Sequence, residues 1–145
     1  MAILKIGYQN ITNSIRFLFI LLFVYAATSK LLIYEQFTMQ LGKSPFIGNY
    51  ANILAWVIPL VEYIIVGLFL FPRYFRAAFY ASFYTLILFT LYIILVLNFS
   101  ASIPCSCGGI ISKLGWTEHL VFNLLFIVLS LTGILFMKKY KNNSY

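Results

Sequence analysis

The two cysteines and the one histidine of this 145-residue chain lie close together in the sequence. Cys105 and Cys107 sit on either side of a serine within residues 104–109, and His119 follows a short distance later. Two neighbouring thiols can exchange with a disulfide of another protein, and a nearby imidazole can accept or donate the proton. These residue types and their spacing indicate redox chemistry as the first hypothesis.

The Cys-Ser-Cys spacing sets limits on any disulfide formed there. Disulfide Cα atoms usually lie about 4.4–6.8 Å apart, so Cys105 and Cys107 would bond only if the backbone turned sharply. Gly108 and Gly109 favour such a turn, because glycine adopts positive φ without steric cost. We expect so small a ring to be strained and therefore labile, and it would close too little chain to stabilise the fold. The pattern favours an exchangeable dithiol or disulfide over a disulfide that stabilises the fold.

Two other interpretations of the cysteines stay open. Cys105, Cys107 and His119 are also soft ligands for copper or zinc, although the sequence offers no evident fourth ligand. Alternatively the cysteines are inert small residues of the loop.

His119 falls in the first turn of the last predicted span, and Asn123 follows one turn later on the same helix face. The dipole at a helix N-terminus disfavours a positive charge, so we expect a neutral imidazole that accepts a thiol proton or donates to a quinone-like carbonyl. The other interpretation is that His119 only anchors the helix at the membrane interface.

The composition identifies a membrane protein. Hydrophobic residues make up 63% of the chain and charged residues 9%, against about half and about a quarter in soluble domains. A helix needs about 20 apolar residues to cross a hydrocarbon core of about 30 Å. The sequence therefore predicts one all-α domain over residues 1–145, an antiparallel bundle of four transmembrane helices at about residues 15–33, 51–71, 77–97 and 117–137, with a loop over residues 98–116.

The connecting segments are less distinctive. Residues 1–14 are polar and mixed, which predicts a short interfacial helix ahead of the first span. That span continues as far as Ile33, so we expect a permanent helix and not a cleaved signal peptide. Residues 34–50 contain turn formers together with Phe37 and Leu41, and we expect this segment to lie on the membrane surface.

The distribution of basic residues predicts the orientation. With both termini on one side of the membrane, seven basic residues fall on that side and three on or toward the other; the seven are Lys5, Arg16, Arg73, Arg76, Lys138, Lys139 and Lys141. The positive-inside rule then places both termini in the cytoplasm of a bacterial inner-membrane protein and the cysteine loop on the oxidising side. The same distribution explains the net charge of +7 without nucleic-acid binding.

Two ionisable residues fall inside predicted spans. Counted along their helices, Lys30 and Glu62 lie about 7 Å apart in depth, a gap that a lysine side chain covers. We therefore predict a pair between the first two spans. Together with Asn123 these residues are candidates to bind a quinone; equally, they form a structural pair, or Lys30 reaches the interface while Glu62 is protonated.

Several of these features together resemble a known family: Ala26-Ala27-Thr28-Ser29-Lys30 followed by Phe37, the segment from Pro59 to Glu62, and Cys105-Ser106-Cys107-Gly108-Gly109 with Trp116 and His119. This combination resembles the MauE/DoxX group of small four-helix bacterial membrane proteins. The architectural likeness covers nearly the whole chain, and the cysteine loop with its Trp and His is the specific part.

The resemblance implies a redox-associated membrane protein. MauE is associated with maturation of the disulfide-rich small subunit of methylamine dehydrogenase, and DoxX relatives are linked to thiosulfate oxidation with quinone as acceptor. The four-helix architecture is also similar to that of the DsbB and vitamin K epoxide reductase class, but this chain has one cysteine pair where that class has two. A single pair would need to exchange directly with a partner protein.

The first hypothesis is therefore an inner-membrane thiol:disulfide oxidoreductase. It would relay electrons between an extracytoplasmic thioredoxin-like protein and a membrane acceptor such as quinone, with Cys105, Cys107 and His119 as catalytic residues. The alternatives are a non-enzymatic accessory subunit of a larger membrane complex and a copper- or zinc-handling protein. Membrane lipid is an expected partner in each case.

Overall fold

Five α-helices account for most of the chain that the computed structural model describes, which is residues 2–99 and 116–142. We label them α1 to α5; they span Ala2–Leu32, Tyr34–Gly42, Ala51–Leu70, Phe75–Phe99 and Trp116–Asn142. Short 3-10 turns at Gly48–Tyr50 and Pro72–Tyr74 lead into α3 and α4. The all-α prediction is confirmed, and the described ranges contain no strand.

Four helices are long and apolar enough to cross a membrane. These segments are Lys5–Leu32, Gly48–Leu70, Pro72–Leu95 and Glu118–Lys139. The prediction of four spans is confirmed, and the chain is a multi-pass membrane protein. The orientation of the termini stays a prediction.

The first helix differs from its prediction. The sequence predicts a separate interfacial helix over residues 1–14, but α1 runs without a break from Ala2 to Leu32. Its 31 residues correspond to about 46 Å of helix, longer than a bilayer core is thick. No proline interrupts this stretch, so the change from polar to apolar residues does not end the helix.

The four long helices pack in a ring. α1 packs mainly against α3 and α4 mainly against α5, while contacts between α3 and α4 and between α1 and α5 complete the bundle. The tight turn at Pro72–Tyr74 joins α3 to α4 and makes them antiparallel. We call this end of the bundle the turn end and the opposite end, where α2 lies, the α2 end.

Phenylalanines fill the bundle toward the turn end. Phe19, Phe69 and Phe79 are fully buried. The Phe69 and Phe79 ring centroids lie 5.1 Å apart edge to face, and those of Phe19 and Phe69 lie 5.7 Å apart, within the favourable range for aromatic pairs. The Ser130 hydroxyl donates a hydrogen bond to the Phe79 carbonyl at 2.9 Å and so links α5 to α4. The bundle is therefore closely packed at the turn end.

Gly133 permits the close approach of α5 to α4, and its replacement tests this packing. A Cβ at Gly133 would lie 2.6 Å from Cε1 of Phe79, whose ring is held by Phe19 and Phe69. We expect Gly133→Ala to lower the free energy of unfolding by about 1–3 kcal/mol, because a packed ring must move. Thermal unfolding in detergent measures the change. Gly67→Ala is the control, since nothing lies within 4 Å of that position; equal melting temperatures for the two variants would contradict the packing.

Candidate functional site

An ion pair between Lys30 and Glu62 joins α1 to α3 inside the predicted membrane layer. Lys30 Nζ lies 2.8 Å from Glu62 Oε1 and 3.3 Å from the Ala26 carbonyl oxygen. The ammonium also lies 5.6 Å from the ring centroid of Phe89 on α4, a cation–π distance. Glu62 is only 1% exposed. The pair predicted from the sequence is confirmed.

The position of this pair along the two helices shapes the bundle. Lys30 lies two residues before the end of α1, whereas Glu62 lies eleven residues after the start of α3. Eleven residues rise about 16 Å, which exceeds the reach of a lysine side chain. Because the two side chains meet, the last residue of α1 must lie closer to the turn end of the bundle than the first residue of α3 does. The α2 end of the bundle is therefore left with space that α1 does not fill.

α2 covers that space. Phe37 and Leu41 of α2 are buried in a small apolar cluster with Ala51 and Ala55 of α3. The segment predicted to lie on the membrane surface thus packs on the bundle itself, and Phe37, Gln40 and Leu41 line the cavity beneath. Small residues on α3 permit this close packing.

The cavity has a volume of about 560 Å³ and is lined by all five helices. This volume lies within the range of about 300–1,000 Å³ that is usual for ligand pockets. Most of the lining is aliphatic or aromatic, with side chains such as Leu54, Ile58 and Phe122. Four of the polar side chains that line it are those of Lys30, Glu62, His119 and Asn123. The composition suits a ligand with one polar part and a large apolar part.

α5 contributes two of these polar side chains. His119 falls in the first turn of α5, and Asn123 follows four residues later. Residues at this spacing share a helix face, and both side chains line the cavity as the spacing predicts. Asn123 is 4% exposed, so its amide lies within the bundle.

Three buried polar atoms around the cavity have unused hydrogen-bonding capacity. Glu62 Oε2, His119 Nδ1 and Asn123 Nδ2 find no partner within the part of the chain that the structure describes. Buried polar atoms are usually paired, and each unpaired one costs about 1–3 kcal/mol. Together with Lys30 Nζ, these three atoms provide hydrogen-bond donors and an acceptor around the same cavity. This arrangement can hydrogen-bond a ligand that carries carbonyl or hydroxyl groups.

The structure brings together four of the six predicted site residues. Lys30, Glu62, His119 and Asn123, from three different helices, line the same cavity. Cys105 and Cys107 lie outside the residues that the structure describes, so their position relative to the cavity stays a prediction. The described residues contain no group of three His, Cys, Asp or Glu side chains that could hold a metal, and the predicted metal alternative depends on the two cysteines.

Sequence reasoning missed other polar residues of the cavity. Tyr25 and Ser29 of α1, Gln40 of α2 and Tyr92 of α4 also line it. Tyr25 and Ser29 are spaced i, i+4 in a mostly apolar span, and this shared polar face is a detectable signal. Gln40 gave no comparable signal, because its contribution depends on how α2 packs.

A comparison with protein families finds a match over most of the chain. The family model described as methylamine utilisation protein MauE matches residues 8–136. This range includes every residue of the cavity named above, and the chain belongs to the MauE family. The DoxX part of the resemblance stays a prediction. No curated protein and no solved structure matches the chain.

The Lys30–Glu62 pair predicts unequal effects of single and double substitutions. Glu62→Leu leaves a buried ammonium without its counter-ion, and we expect it to lower the free energy of unfolding by about 3–5 kcal/mol. Lys30→Met together with Glu62→Leu removes both charges, so the double variant should be more stable than Glu62→Leu alone. Unfolding of the purified variants in detergent measures the difference. Strictly additive losses would contradict an energetically coupled pair.

Proposed function

We propose that this member of the MauE family is a thiol:disulfide relay of the bacterial inner membrane, which passes electrons from an extracytoplasmic thiol protein to a membrane quinone. The observation that carries the proposal is the cavity, where an ion pair and three polar atoms without a partner among the described residues lie beside a large apolar lining. The family description connects the chain with methylamine utilisation. We infer that the thiol partner is a thioredoxin-like protein or a larger membrane complex of that system.

The exchange with the partner balances without any further reactant. One thiolate of the partner attacks a sulfur of the Cys105–Cys107 disulfide and expels the other sulfur as a thiolate. The second thiolate of the partner then attacks the partner's own sulfur in the mixed disulfide and releases the remaining cysteine. The partner dithiol is oxidised to a disulfide with loss of two electrons and two protons, and Cys105 and Cys107 are reduced to two thiols.

The two cysteines return to the disulfide when they give two electrons and two protons to an acceptor, and the lining of the cavity suits a quinone in that role. A quinone, when bound, supplies a reservoir for two electrons and two protons. Lys30 Nζ and Asn123 Nδ2 are donors for carbonyl oxygens, and Glu62 Oε2 is an acceptor for hydroxyl groups. Glu62 Oε2 and Asn123 Nδ2 are buried and find no partner among the described residues, and Lys30 Nζ already bonds Glu62 Oε1 and the Ala26 carbonyl. The apolar lining excludes water from the polar groups and so strengthens their hydrogen bonds.

His119 serves as the proton-handling group in this proposal. It lies in the first turn of α5, closer along the chain to the cysteine loop than the other polar residues of the cavity. A neutral imidazole accepts a proton from a thiol and so generates the thiolate that reacts. Because His119 also lines the cavity, the same imidazole can deliver that proton toward the acceptor.

Reduction of a quinone by the purified protein tests the relay. We expect the reduced protein to transfer two electrons per chain to a short-chain quinone, measured from the quinone absorbance. Cys105→Ser with Cys107→Ser should abolish the transfer, and His119→Ala should slow it by about 10²-fold or more, as for the loss of a general base. Ser106→Ala, which keeps both sulfur atoms, is the matched control and should retain the rate.

Two other results would replace this function with another. Copper or zinc that copurifies with the protein and disappears in the double cysteine variant would favour metal handling. A double cysteine variant that leaves a larger membrane complex intact and its redox activity unchanged would favour an accessory subunit. A wild-type protein that reduces no quinone but is required for an intact complex would favour the same function.

A further inference from the structure

The lining of the cavity reaches the surface of the bundle on one side, at α3 and α4. Three of the lining side chains are exposed on the surface of the bundle: Val57 and Val61 of α3 are 41% and 38% exposed, and Leu88 of α4 is 67% exposed. All three lie within segments apolar enough to span a membrane, so their exposed surfaces contact acyl chains. The lining residues of α1, α2 and α5 are buried or half-buried.

The three exposed residues lie on two neighbouring antiparallel helices, α3 and α4. Val57 lies thirteen residues before the end of α3, and Leu88 lies thirteen residues after the start of α4. Each is therefore about 20 Å of helical rise from the turn that joins the two antiparallel helices. Val61 is one turn from Val57 on the same face of α3. The side chains thus lie at similar depth on opposite sides of the gap between α3 and α4.

The exposed part of the cavity lining is aliphatic. Lys30 lies on α1, and His119 and Asn123 lie on α5. Glu62 is on α3 and Tyr92 on α4, but both are less exposed than the three aliphatic residues of the same two helices. An aliphatic gap at membrane depth is favourable for a hydrocarbon chain, because it offers no polar group that the chain would leave unpaired. A small polar ligand would gain nothing from it.

We propose that the ligand is an amphiphile with a long isoprenoid chain. Its polar ring lies among Lys30, Glu62 and Asn123. Its chain leaves the cavity between α3 and α4, past Val61 and Leu88. The identity of the ring rests on the proposed function, in which the acceptor is a quinone. The exit path of the chain does not follow from that function and is a separate inference. It makes the protein selective for long-chain, membrane-soluble quinones over the same ring without a chain.

Closing the gap with large side chains tests the path. The experiment compares retention of a long-chain quinone and of the same quinone ring without its chain by detergent-purified protein, with empty micelles subtracted. The parent carries Cys105→Ser and Cys107→Ser, so binding is measured apart from any electron transfer. We expect Val61→Trp with Leu88→Trp to weaken retention of the long-chain quinone at least tenfold and that of the chain-free ring less than twofold.

A matched pair of substitutions controls for the added tryptophans. Ile64 of α3 and Leu91 of α4 are also exposed but do not line the cavity. Ile64→Trp with Leu91→Trp should leave retention of both quinones unchanged. In the opposite direction, Val61→Ala with Leu88→Ala widens the gap, and the variant should retain the long-chain quinone and exchange it faster.

The outcomes separate this inference from the proposed function. If the parent retains both quinones and the tryptophans in the gap affect neither, or weaken both equally, the path between α3 and α4 is wrong while a quinone acceptor stands. If the parent retains neither quinone, the acceptor and the path are both wrong. Phospholipid retained in place of quinone, and displaced by the same tryptophans, would also overturn the proposal, because the gap would then hold a lipid chain.

Discussion

A lysine and a glutamate that meet inside a membrane constrain the helices that carry them. Neither charge is tolerable alone in hydrocarbon, so α1 and α3 must lie side by side at the depth where Lys30 Nζ reaches Glu62 Oε1 at 2.8 Å. Near the same level the Thr28 and Tyr63 hydroxyls share a hydrogen bond of 2.7 Å. Because the Lys30 and Glu62 side chains meet at one depth, α1 ends closer to the turn end than the point where α3 begins. The cavity is the space that α1 does not fill, beneath α2.

Hydrogen-bonding atoms around the cavity that lack a partner among the described residues favour ligand binding over a purely structural role for its polar residues. A structural pair accounts for Lys30 Nζ and Glu62 Oε1, and it leaves Glu62 Oε2 buried without a partner in the described part of the chain. It also gives no reason for Asn123 to turn its amide into the same space from α5. A bound molecule with carbonyl or hydroxyl groups would satisfy these atoms together. Three such atoms lie around the cavity, whereas toward the turn end, where phenylalanines fill the bundle, the described residues leave one, Arg16 Nε.

The sequence predicts those features that depend on one helix at a time. Apolar runs predict the four spans, helical rise predicts that Lys30 and Glu62 meet, and the i, i+4 spacing predicts that His119 and Asn123 share a face. Features that depend on how helices are arranged were missed. The cavity needs both the early end of α1 and the packing of α2 on small residues of α3, neither of which a hydropathy pattern contains. Likewise, the polar start of α1 predicts a separate element, because the edge of a membrane and the end of a helix give the same change in composition.

The central claim is that a quinone ring binds at the polar wall of the cavity. Photoaffinity labelling in membranes, with a long-chain quinone that carries an azide on its ring, tests it most directly when the labelled peptides are identified by mass spectrometry. If the ring binds there, we expect labels near Lys30, Glu62 and Asn123. Unlabelled quinone should suppress these labels, and Lys30→Met with Glu62→Leu should strongly reduce them. Labels confined to the lipid-facing surfaces of the helices, unaffected by competitor or by these substitutions, would contradict it.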